Sequence, residues 1–495
     1  MYYYNTANTT GTIHFDSEHP QYREYLDMWT KCRDCYKGEE SIKQKNQRYL
    51  PFLSMQESDD YYNYKSRAIF LNVMRRTIHG LVGASLRKTP IIKVPSRMEP
   101  YLLDMDLHGT SFIELTQKLL TELLITGRVS VVVDRVDNGR CYSTFYAAES
   151  NINWRYSNNN PIMAVFSEEI DVSEDGFTHE IGNQYRVYDF DENGYLRVRV
   201  AMEKLPDEKS SDEDNSFEII HETYPSYRGE GIRELPVFCF NSSGLGMDNM
   251  SPPPLLDLAN ISLSHYRTSA DLENGRHFTS LPQAWITGVD ADDFRHGLHV
   301  GGSTAWILPN ENTKLGYLEF SGQGLGSLEN ALKEKEGMMA VVGARLLESK
   351  RGVESAETSR IRQNIETSVL SHISVTLQNG LNKILKYMAR WEGLNENEVH
   401  VELNMDFVDV RIPHQEIIAL VQAYQMGGIS MNTLLYNLKQ GEVIPNDVSI
   451  DDEREKIEMD HGSSDDGPVD NRSEVLQDSE QEKLRKSLSD SGRGD

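Results

Sequence analysis

The sequence predicts an α+β protein in which helical regions flank a β-rich middle. Apolar residues recur at helical spacing over residues 22–36 and 111–126, and again in two long stretches after residue 326. Residues 140–245 instead contain short runs of β-forming residues separated by turn-prone ones. No regular alternation of single strands with single helices connects these regions, so an α/β fold is not expected.

The segment 64–85 is predicted to be one helix. Its apolar stripe consists of Phe70, Met74, Ile78, Leu81 and Val82. Basic residues flank the stripe, namely Arg67, Arg75, Arg76, Arg87 and Lys88. A basic amphipathic helix can bind nucleic acid or a membrane. A packed helix with a solvated polar face is the simpler interpretation of the same pattern.

The sheet region follows a further helix. Residues 111–126 are predicted to be helical up to Gly127, which suits the position just after a helix. The β-branched run 129–133 is predicted to be a buried strand. The stretches 184–189 and 195–200, with turn-prone residues between them, predict a hairpin.

Three consecutive prolines, residues 252–254, should end the sheet region and begin a helix that reaches about residue 279. The residues expected to face inward on this helix are Leu255, Leu258, Ala259, Leu263 and Tyr266. Residues 281–320 are then expected to return to short strands.

Two long amphipathic helices follow, and they are the most informative part of the sequence. The first is predicted over 327–347 with Ser327 as its N-cap. The second begins at about residue 358, ends near Trp391, and contains Gly380 as a site for a bend. At a rise of 1.5 Å per residue, it would be about 50 Å long.

The connection between these helices, residues 348–357, is longer than most helix–helix loops and is basic at its centre. Lys350 and Arg351 lie there, with Arg345 before them and Arg360 and Arg362 after them. A solvated turn whose cations are balanced by nearby glutamates is one interpretation. Its position between two long helices favours a functional loop.

The C-terminal part is predicted to contain a strand over 398–410 and a helix pair over 414–426 and 430–439. Residues 451–495 carry 15 acidic and 7 basic residues and few apolar ones. Such a composition cannot bury enough apolar surface to offset ordering, so this tail is predicted to be disordered or weakly helical.

Charge and hydropathy restrict the possible functions. The chain has 495 residues and a formal net charge of −27 at pH 7. That acidity argues against tight, sequence-specific binding of nucleic acid. It is compatible with a channel surface that repels phosphates and so lets DNA slide past. The sequence contains no run of about 18 apolar residues, so no membrane-spanning helix is predicted. The N-terminus has no signal-peptide pattern, so a cytosolic location is expected.

Neither a metal site nor an enzyme is expected. Cys32 and Cys35 have C-x-x-C spacing, but a structural zinc usually takes a second close pair, and Cys141 and Cys239 are far apart. Reduced structural thiols are therefore predicted. Carboxylate groups occur at Asp104/Asp106, Asp189/Asp191 and Asp290/Asp292/Asp293, where an acidic chain produces them by chance.

A glycine-rich turn leaves one enzymatic alternative open. Gly322-Gln-Gly-Leu-Gly326 lies between a strand-like run and a helix, where backbone N–H groups can hold phosphate. Its spacing differs from the dinucleotide-binding and P-loop patterns. A nucleotide-binding enzyme is thus the alternative, and no cofactor is expected.

Several short segments, spread in order over about residues 60–390, resemble the portal proteins of tailed bacteriophages, and in particular a subgroup of uncharacterised phage portals. The matching segments are RAIFLN (67–72), GLVG (80–83), KTP (88–90), DLHG (106–109), GRVSVVVD (127–134), NW (153–154), QYRV (184–187), LP (235–236), PPLLDLA (253–259), YRTSAD (266–271), PQAWITG (282–288), GARLL (343–347) and ESAE (354–357). Their order and spacing carry the resemblance more than any single segment does.

The resemblance implies a portal fold with a β-rich wing and clip and long helices, assembled as a ring, and it divides the chain accordingly. The implied regions are a flexible N-terminus (1–19), wing (20–252), first stem helix (253–279), clip (280–326), second stem helix (327–347), tunnel loop (348–357), long helix at the wing–crown junction (358–392), crown (393–449) and disordered acidic tail (450–495). Contact with DNA in the channel is implied for Lys350 and Arg351.

The resemblance also implies function and partners. Portal proteins form a ring, usually of twelve copies, at one capsid vertex, and double-stranded DNA passes through it without sequence specificity. The implied partners are the terminase large subunit, the major capsid and scaffold proteins, and a head–tail adaptor. The implied locations are the virion and, during assembly, the host cytoplasm. Another phage structural or adaptor protein of similar helical character is the non-enzymatic alternative.

Overall fold

The computed structural model describes residues 14–136, 139–158, 160–173, 175–203, 217–227, 229–280, 283–288, 313–318, 322–344, 356–405, 407, 414–441, 443–444 and 448–462. The chain divides into two compact units, residues 1–407 and 408–495. Both helices and antiparallel sheets are present, so the predicted α+β class is confirmed.

The helices described in the first unit are α1 (Pro20–Lys37), α2 (Glu39–Gln44), α3 (Ser58–Arg67), α4 (Val73–Ser85), α5 (Glu99–Leu103), α6 (Phe112–Ile125), α7 (Leu256–Ser280), α8 (Leu325–Met339) and α9 (Ala356–Trp391). A π-helical turn, Ala340–Ala344, continues directly from α8.

The strands described in this unit are β1 (Ile91–Lys93), β2 (Arg128–Arg135), β3 (Cys141–Ala147), β4 (Asn151–Ser157), β5 (Asn160–Asp171), β6 (Ile181–Phe190), β7 (Leu196–Glu203), β8 (Phe217–Thr223), β9 (Ser226–Tyr227), β10 (Glu230–Gly231), β11 (Val237–Asn241), β12 (Gly244–Leu245), β13 (Gln283–Thr287), β14 (Lys314–Leu318) and β15 (His400–Glu402). A five-stranded meander has the order β4-β5-β6-β7-β8, and a four-stranded sheet has the order β12-β11-β2-β3. Three two-stranded ladders pair β1 with β15, β9 with β10, and β13 with β14.

The apolar residues of the first unit form two buried clusters. The larger one packs α4, α6, α7 and α9 against the four-stranded sheet. The smaller one lies between α1 and the five-stranded meander and includes the fully buried Trp29 and the nearly buried Trp154. The run 129–133 is buried throughout, as predicted, and the hairpin of β6 and β7 is also confirmed.

The predicted helix over 64–85 is wrong, because the structure contains two helices there. α3 ends at Arg67 and α4 begins at Val73. In the linker, the Ile69 N–H donates to the hydroxyl of Ser269, and Asn72 caps α4 by accepting from the Arg75 N–H. These side-chain bonds replace the backbone bonds that a continuous helix would make at residues 68–72.

Other elements follow the predictions more closely. α6 begins after Ser111, which forms a reciprocal capping box with Glu114, and it is followed by Gly127 at φ 76°. The predicted strand over 398–410 is shorter than expected, since β15 is its only strand within the described residues.

The second unit contains three described helices, α10 (His414–Gln425), α11 (Met431–Gln440) and α12 (Ile450–Gly462). α10 and α11 confirm the predicted helix pair, and Ser430 caps α11 by accepting from the Thr433 N–H. The beginning of the acidic tail is helical in α12, and residues 463–495 lie outside the described part.

Candidate functional site

α7 begins immediately after the three prolines and is buried along one face. All five residues predicted to face inward are buried, namely Leu255, Leu258, Ala259, Leu263 and Tyr266. The turn after α6 packs against the proline run, because a Cβ on Gly127 would lie 3.3 Å from Cδ of Pro254. This contact fixes the start of α7 against the core of the first unit.

α7 and α8 form an antiparallel pair. Near one end, Nη2 of Arg276 lies 2.8 Å from Oε1 of Glu329. Further along, the hydroxyl of Ser262 lies 3.4 Å from the sulfur of Met339. Residue numbers fall on α7 as they rise on α8, which establishes the antiparallel direction. α8 begins at Leu325 with Gly324 at the N-cap position, so the predicted N-cap at Ser327 is wrong by three residues.

The contact between α7 and α8 is polar along much of its length. Nζ of Lys335 donates to the carbonyl oxygen of Ser264 at 3.2 Å and to the hydroxyl of Thr268. His265 is 4% exposed, and its Nε2 lies 3.5 Å from a carboxylate oxygen of Glu336. Burial lowers the pKa of His265, while the nearby carboxylate of Glu336 opposes that shift. The buried ring is therefore neutral near pH 7.

At the Arg276 end of the helix pair, the chain continues into the β13–β14 hairpin. Both faces of this two-stranded ladder carry exposed apolar side chains: Trp285 is 42% exposed and Tyr317 is 52% exposed. Trp285 covers Gly316, where a Cβ would lie 2.9 Å from its ring. A two-stranded ladder without further packing is marginal in water, and among the described residues these apolar side chains remain exposed. Residues 289–312 lie outside the described part.

At the opposite end of the pair, the π-helical turn packs against α4 and α7. A Cβ on Gly343 would lie 2.7 Å from Leu258 and 3.1 Å from Thr77. Val342, predicted to continue the buried stripe of α8, is instead 37% exposed, because the wider π turn rotates it off that stripe. The next residues of interest, Lys350 and Arg351, lie outside the described residues.

α9 is helical without interruption through Gly380. The ring of Phe240 occupies the position that a Cβ of this residue would need. Farther along, the side-chain amide of Asn382 bonds to the backbone of Val401 as a neighbouring strand would. Its N–H donates to the Val401 carbonyl at 2.8 Å, and its oxygen accepts from the Val401 N–H at 2.9 Å. The glycine and the amide together hold α9 against β11 and β15.

The glycine-rich turn offers little to a phosphate. Gly322 has φ 64°, and its carbonyl accepts from the Leu325 N–H. The carbonyl of Gly324 accepts from the N–H groups of Ser327 and Leu328. Three N–H groups at the beginning of α8 are thus already paired within the turn, which leaves them unavailable to an anion.

The described carboxylate pairs have structural partners. Asp104 accepts from the Gly109 N–H and from Arg140, each at 2.9 Å, and these bonds hold the pKa of its carboxyl below the usual value. Asp189 accepts from Arg197 and Arg199 at 2.8 and 2.6 Å. Nowhere in the described part of the chain do three His, Cys, Asp or Glu side chains converge to hold a metal ion. Asp290, Asp292 and Asp293 lie outside it.

All four cysteines are buried and unpaired. Burial raises the pKa of Cys32 to about 12 and also raises that of Cys35 and Cys141. These environments agree with the prediction of structural thiols, since a thiol with a raised pKa is a poor nucleophile and a poor metal ligand. Within the described residues, no helix is both long and apolar enough to cross a membrane.

Comparisons with known proteins add two findings. The model of a family described as a domain of unknown function (DUF4055) matches residues 254–392, which include α7, α8 and α9. No curated protein gives a significant match.

Solved structures similar to this chain come from gene transfer agent (GTA) particles. One is the neck of a native particle computed with C12 symmetry (11% identity, 72% of this chain and 86% of that chain, TM-score 0.37). A second is the virion of a native particle (12% identity, 78% and 94%, TM-score 0.37). A third is the neck of an empty particle computed with C6 symmetry (13% identity, 72% and 86%, TM-score 0.37).

Proposed function

We propose that this chain is a portal subunit. Twelve copies form a ring at one capsid vertex, and double-stranded DNA passes through the ring during packaging and ejection. The chain acts as a conduit and catalyses no reaction of its own. The carrying observation is the antiparallel α7–α8 pair, with an exposed apolar hairpin at one end and the Lys350–Arg351 segment following the other end in the sequence.

The hairpin supports an assembly because its two strands cannot bury their side chains against each other. Trp285, Leu315 and Tyr317 are each at least 40% exposed. Neighbouring copies in a ring would cover these side chains and complete the marginal ladder. In the proposal this region, within residues 280–326, is the clip, with α7 and α8 as the stem helices and residues 20–252 as the wing.

Charge supports the passage of DNA. Each chain carries a formal charge of −27, so a ring of copies surrounds its axis with a field that repels a polyanion. Weak holding lets a duplex slide, because tight binding needs many phosphate contacts to cations. Lys350 and Arg351 supply a local exception where the channel touches DNA.

The partners follow from this arrangement. The clip binds the terminase large subunit, and the wing contacts the major capsid and scaffold proteins. A head–tail adaptor replaces the motor after packaging. The protein thus resides in the host cytoplasm during assembly and afterwards at one vertex of the virion.

Electron microscopy of the purified protein tests the proposal. We expect a rotationally symmetric annulus with a central hole wide enough for duplex DNA. Sedimentation velocity on the same sample should give a mass close to twelve chains. A compact monomer at every protein concentration and salt condition tested would contradict the proposal.

A further inference from the structure

One end of α3 carries an exposed surface that is both apolar and acidic. Met55 is fully exposed, Tyr62 is 66% exposed, and Phe52 and Leu53 are each about 40% exposed. The carboxylates of this surface are Glu57, Asp59 and Asp60, and no Lys or Arg occurs within residues 52–62. We call residues 52–62 the acidic surface.

The structure holds Met55 outward at a conformational cost. Its φ is 59°, in the left-handed region that non-glycine residues rarely adopt. Gln56 closes the turn, because its side chain accepts from the Leu53 N–H at 3.0 Å and its own N–H donates to the Leu53 carbonyl at 3.2 Å. An open cavity of about 470 Å³ lies beside it, lined by Phe52 and the first residues of α3. A solvent-facing methionine held in a strained backbone conformation is suited to a contact.

The other end of α3 has the opposite charge. Residues 61–98 contain eight Lys and Arg and no Asp or Glu, in a chain that is strongly acidic overall. In the linker to α4, Ile69 is 48% exposed and Leu71 is 39% exposed. We call Arg67, Ile69, Leu71, Arg75 and Arg76 the basic surface.

The cations of the basic surface have neutral partners. Arg67 donates to Asn274 and lies 3.1 Å from Nε2 of His277. Arg75 donates to the carbonyls of Tyr36 and Lys37 at the end of α1. Arg76 is exposed and makes no ion pair with the described residues. Their positive charge is therefore not cancelled by a carboxylate of the described chain.

We infer that the acidic surface of one copy docks on the basic surface of the next copy around the ring. A ring needs a heterologous contact, in which two different patches of the same chain meet. These two patches are complementary in charge, and both carry exposed apolar side chains that such a contact would bury. The two patches lie toward opposite ends of α3, which spans about 15 Å, so they are separate surfaces. This inference rests on the proposed ring.

The apolar residues favour a protein partner over nucleic acid. Ile69 and Leu71 stand among the cations, and a phosphate backbone would leave them without apolar contacts. The rest of the chain supplies abundant carboxylates, and the acidic surface combines them with Met55 and Tyr62. At physiological salt, charges farther apart than about 8 Å are largely screened from each other. The contact therefore depends on the charges of the two surfaces and not on the net charge of the chain.

Charge reversal on each side tests the inference. One variant carries Asp59→Lys and Asp60→Lys, and the other carries Arg67→Glu and Arg76→Glu. Each alone should raise the protein concentration at half-assembly about tenfold or more, the equivalent of about 1.4 kcal/mol. Sedimentation velocity measures this concentration, and thermal melting confirms that each variant is folded.

Mixing the two reversal variants is the experiment that tests the contact most directly. The first variant is basic at both ends of α3 and the second is acidic at both, so together they should form rings of alternating copies. The matched controls are Glu24→Lys on α1 and Arg155→Glu on β4, which are exposed and lie outside both surfaces. They should assemble as the wild type does. If a reversal variant unfolds at a lower temperature than the wild type, a charge-neutralising variant replaces it. These replacements are Asp59→Asn with Asp60→Asn, or Arg76→Gln, and they should weaken assembly to a smaller extent.

The outcomes separate the two proposals. Wild-type rings with unimpaired reversal variants would overturn this inference and leave the proposed function intact. A wild type that never assembles would overturn both. If the Arg67→Glu/Arg76→Glu protein assembles normally but loses affinity for a fluorescent DNA duplex, the basic surface is a nucleic-acid contact and the inference is wrong.

Discussion

The ring of Phe240 on β11 packs directly against the backbone of Gly380 in the middle of α9. No side chain fits at that helical position, because an added Cβ would overlap the ring. This contact joins the four-stranded sheet to the longest described helix, and Phe240 is itself fully buried.

Replacement of Gly380 by Ala should destabilise the protein by about 1–3 kcal/mol, since overpacking outweighs the gain in helix propensity. Gly83, in α4, is the matched control, because a Cβ there would meet nothing within 4 Å. Gly83→Ala should stabilise by up to about 1 kcal/mol. Denaturant midpoints of the two variants measure the difference, and equal shifts in the same direction would contradict the packing described.

His265 should make stability depend on pH. Burial lowers its pKa below the ordinary 6.5, so the unfolded chain binds a proton at a higher pH than the folded chain does. Stability is therefore complete above about pH 6.5 and falls as the pH drops toward the folded pKa. His265→Gln should lose less stability than the wild type between pH 7 and about pH 5.5. Parallel urea-midpoint curves for the two proteins would exclude a contribution from this residue.

The four thiols should be unreactive in the folded protein. All are buried, and the thiolate that would attack a reagent is disfavoured by the raised pKa of Cys32, Cys35 and Cys141. We expect negligible reaction with a chromogenic disulfide at pH 8 and release of four equivalents after denaturation. Rapid reaction of two native thiols would instead support a redox or metal-binding pair.

Lys350→Asp combined with Arg351→Asp should leave ring assembly intact but impair DNA packaging or retention, since it removes the cations that the proposed function assigns to the channel wall. Packaging of genome-length DNA into particles is the measurement. Arg155→Glu, an exposed change on β4, is the charge control and should package normally. Normal packaging by the double variant would remove the assignment of residues 348–357 as the tunnel loop.

The turn at Gly322–Gly326 should not bind nucleotide. The N–H groups of Leu325, Ser327 and Leu328 already donate to carbonyls of the turn, so these three are not available to a phosphate. Titration calorimetry with ATP and with NAD should show no saturable binding in the micromolar range. Saturable binding that is lost on Gly324→Pro would favour the enzymatic alternative.

Much of the fold was predictable because local patterns and burial agree. α6 has its capping serine, its apolar face and its terminal glycine in the sequence, and α7 has a proline run before a regular stripe. The same agreement holds for β2, whose β-branched run is buried. Where one segment supplies both the boundary signals and the buried face, sequence periodicity is sufficient.

The errors arise where distant residues decide the local structure. The break before α4 depends on Ser269, which lies 200 residues after Ile69. The role of Gly380 depends on Phe240, and a glycine alone does not distinguish a bend from a close approach. The guanidinium of Arg33 binds both Glu122 and Glu149, which lie 89 and 116 residues away in the sequence. No spacing in the sequence indicates such a cluster.

For the candidate site, the helices could be predicted but the character of their contacts could not. α7 and α8 were recognisable from their stripes, yet Lys335 and His265 meet only because the helices are antiparallel in one register. The exposed hairpin residues could have been suspected from Trp285 and Tyr317, which lie close to glycines in a region with little core. Their faces become clear only from the pairing of the two strands.

The close packing at Gly343 has a mechanical consequence. Because the backbone at Gly343 packs closely against Thr77 and Leu258, a force applied to the chain beyond Ala344 would be transmitted to α4 and α7 as well as to α8. In the proposed portal, a pull by DNA on the following segment would therefore reach α4 and α7 and would not act on α8 alone.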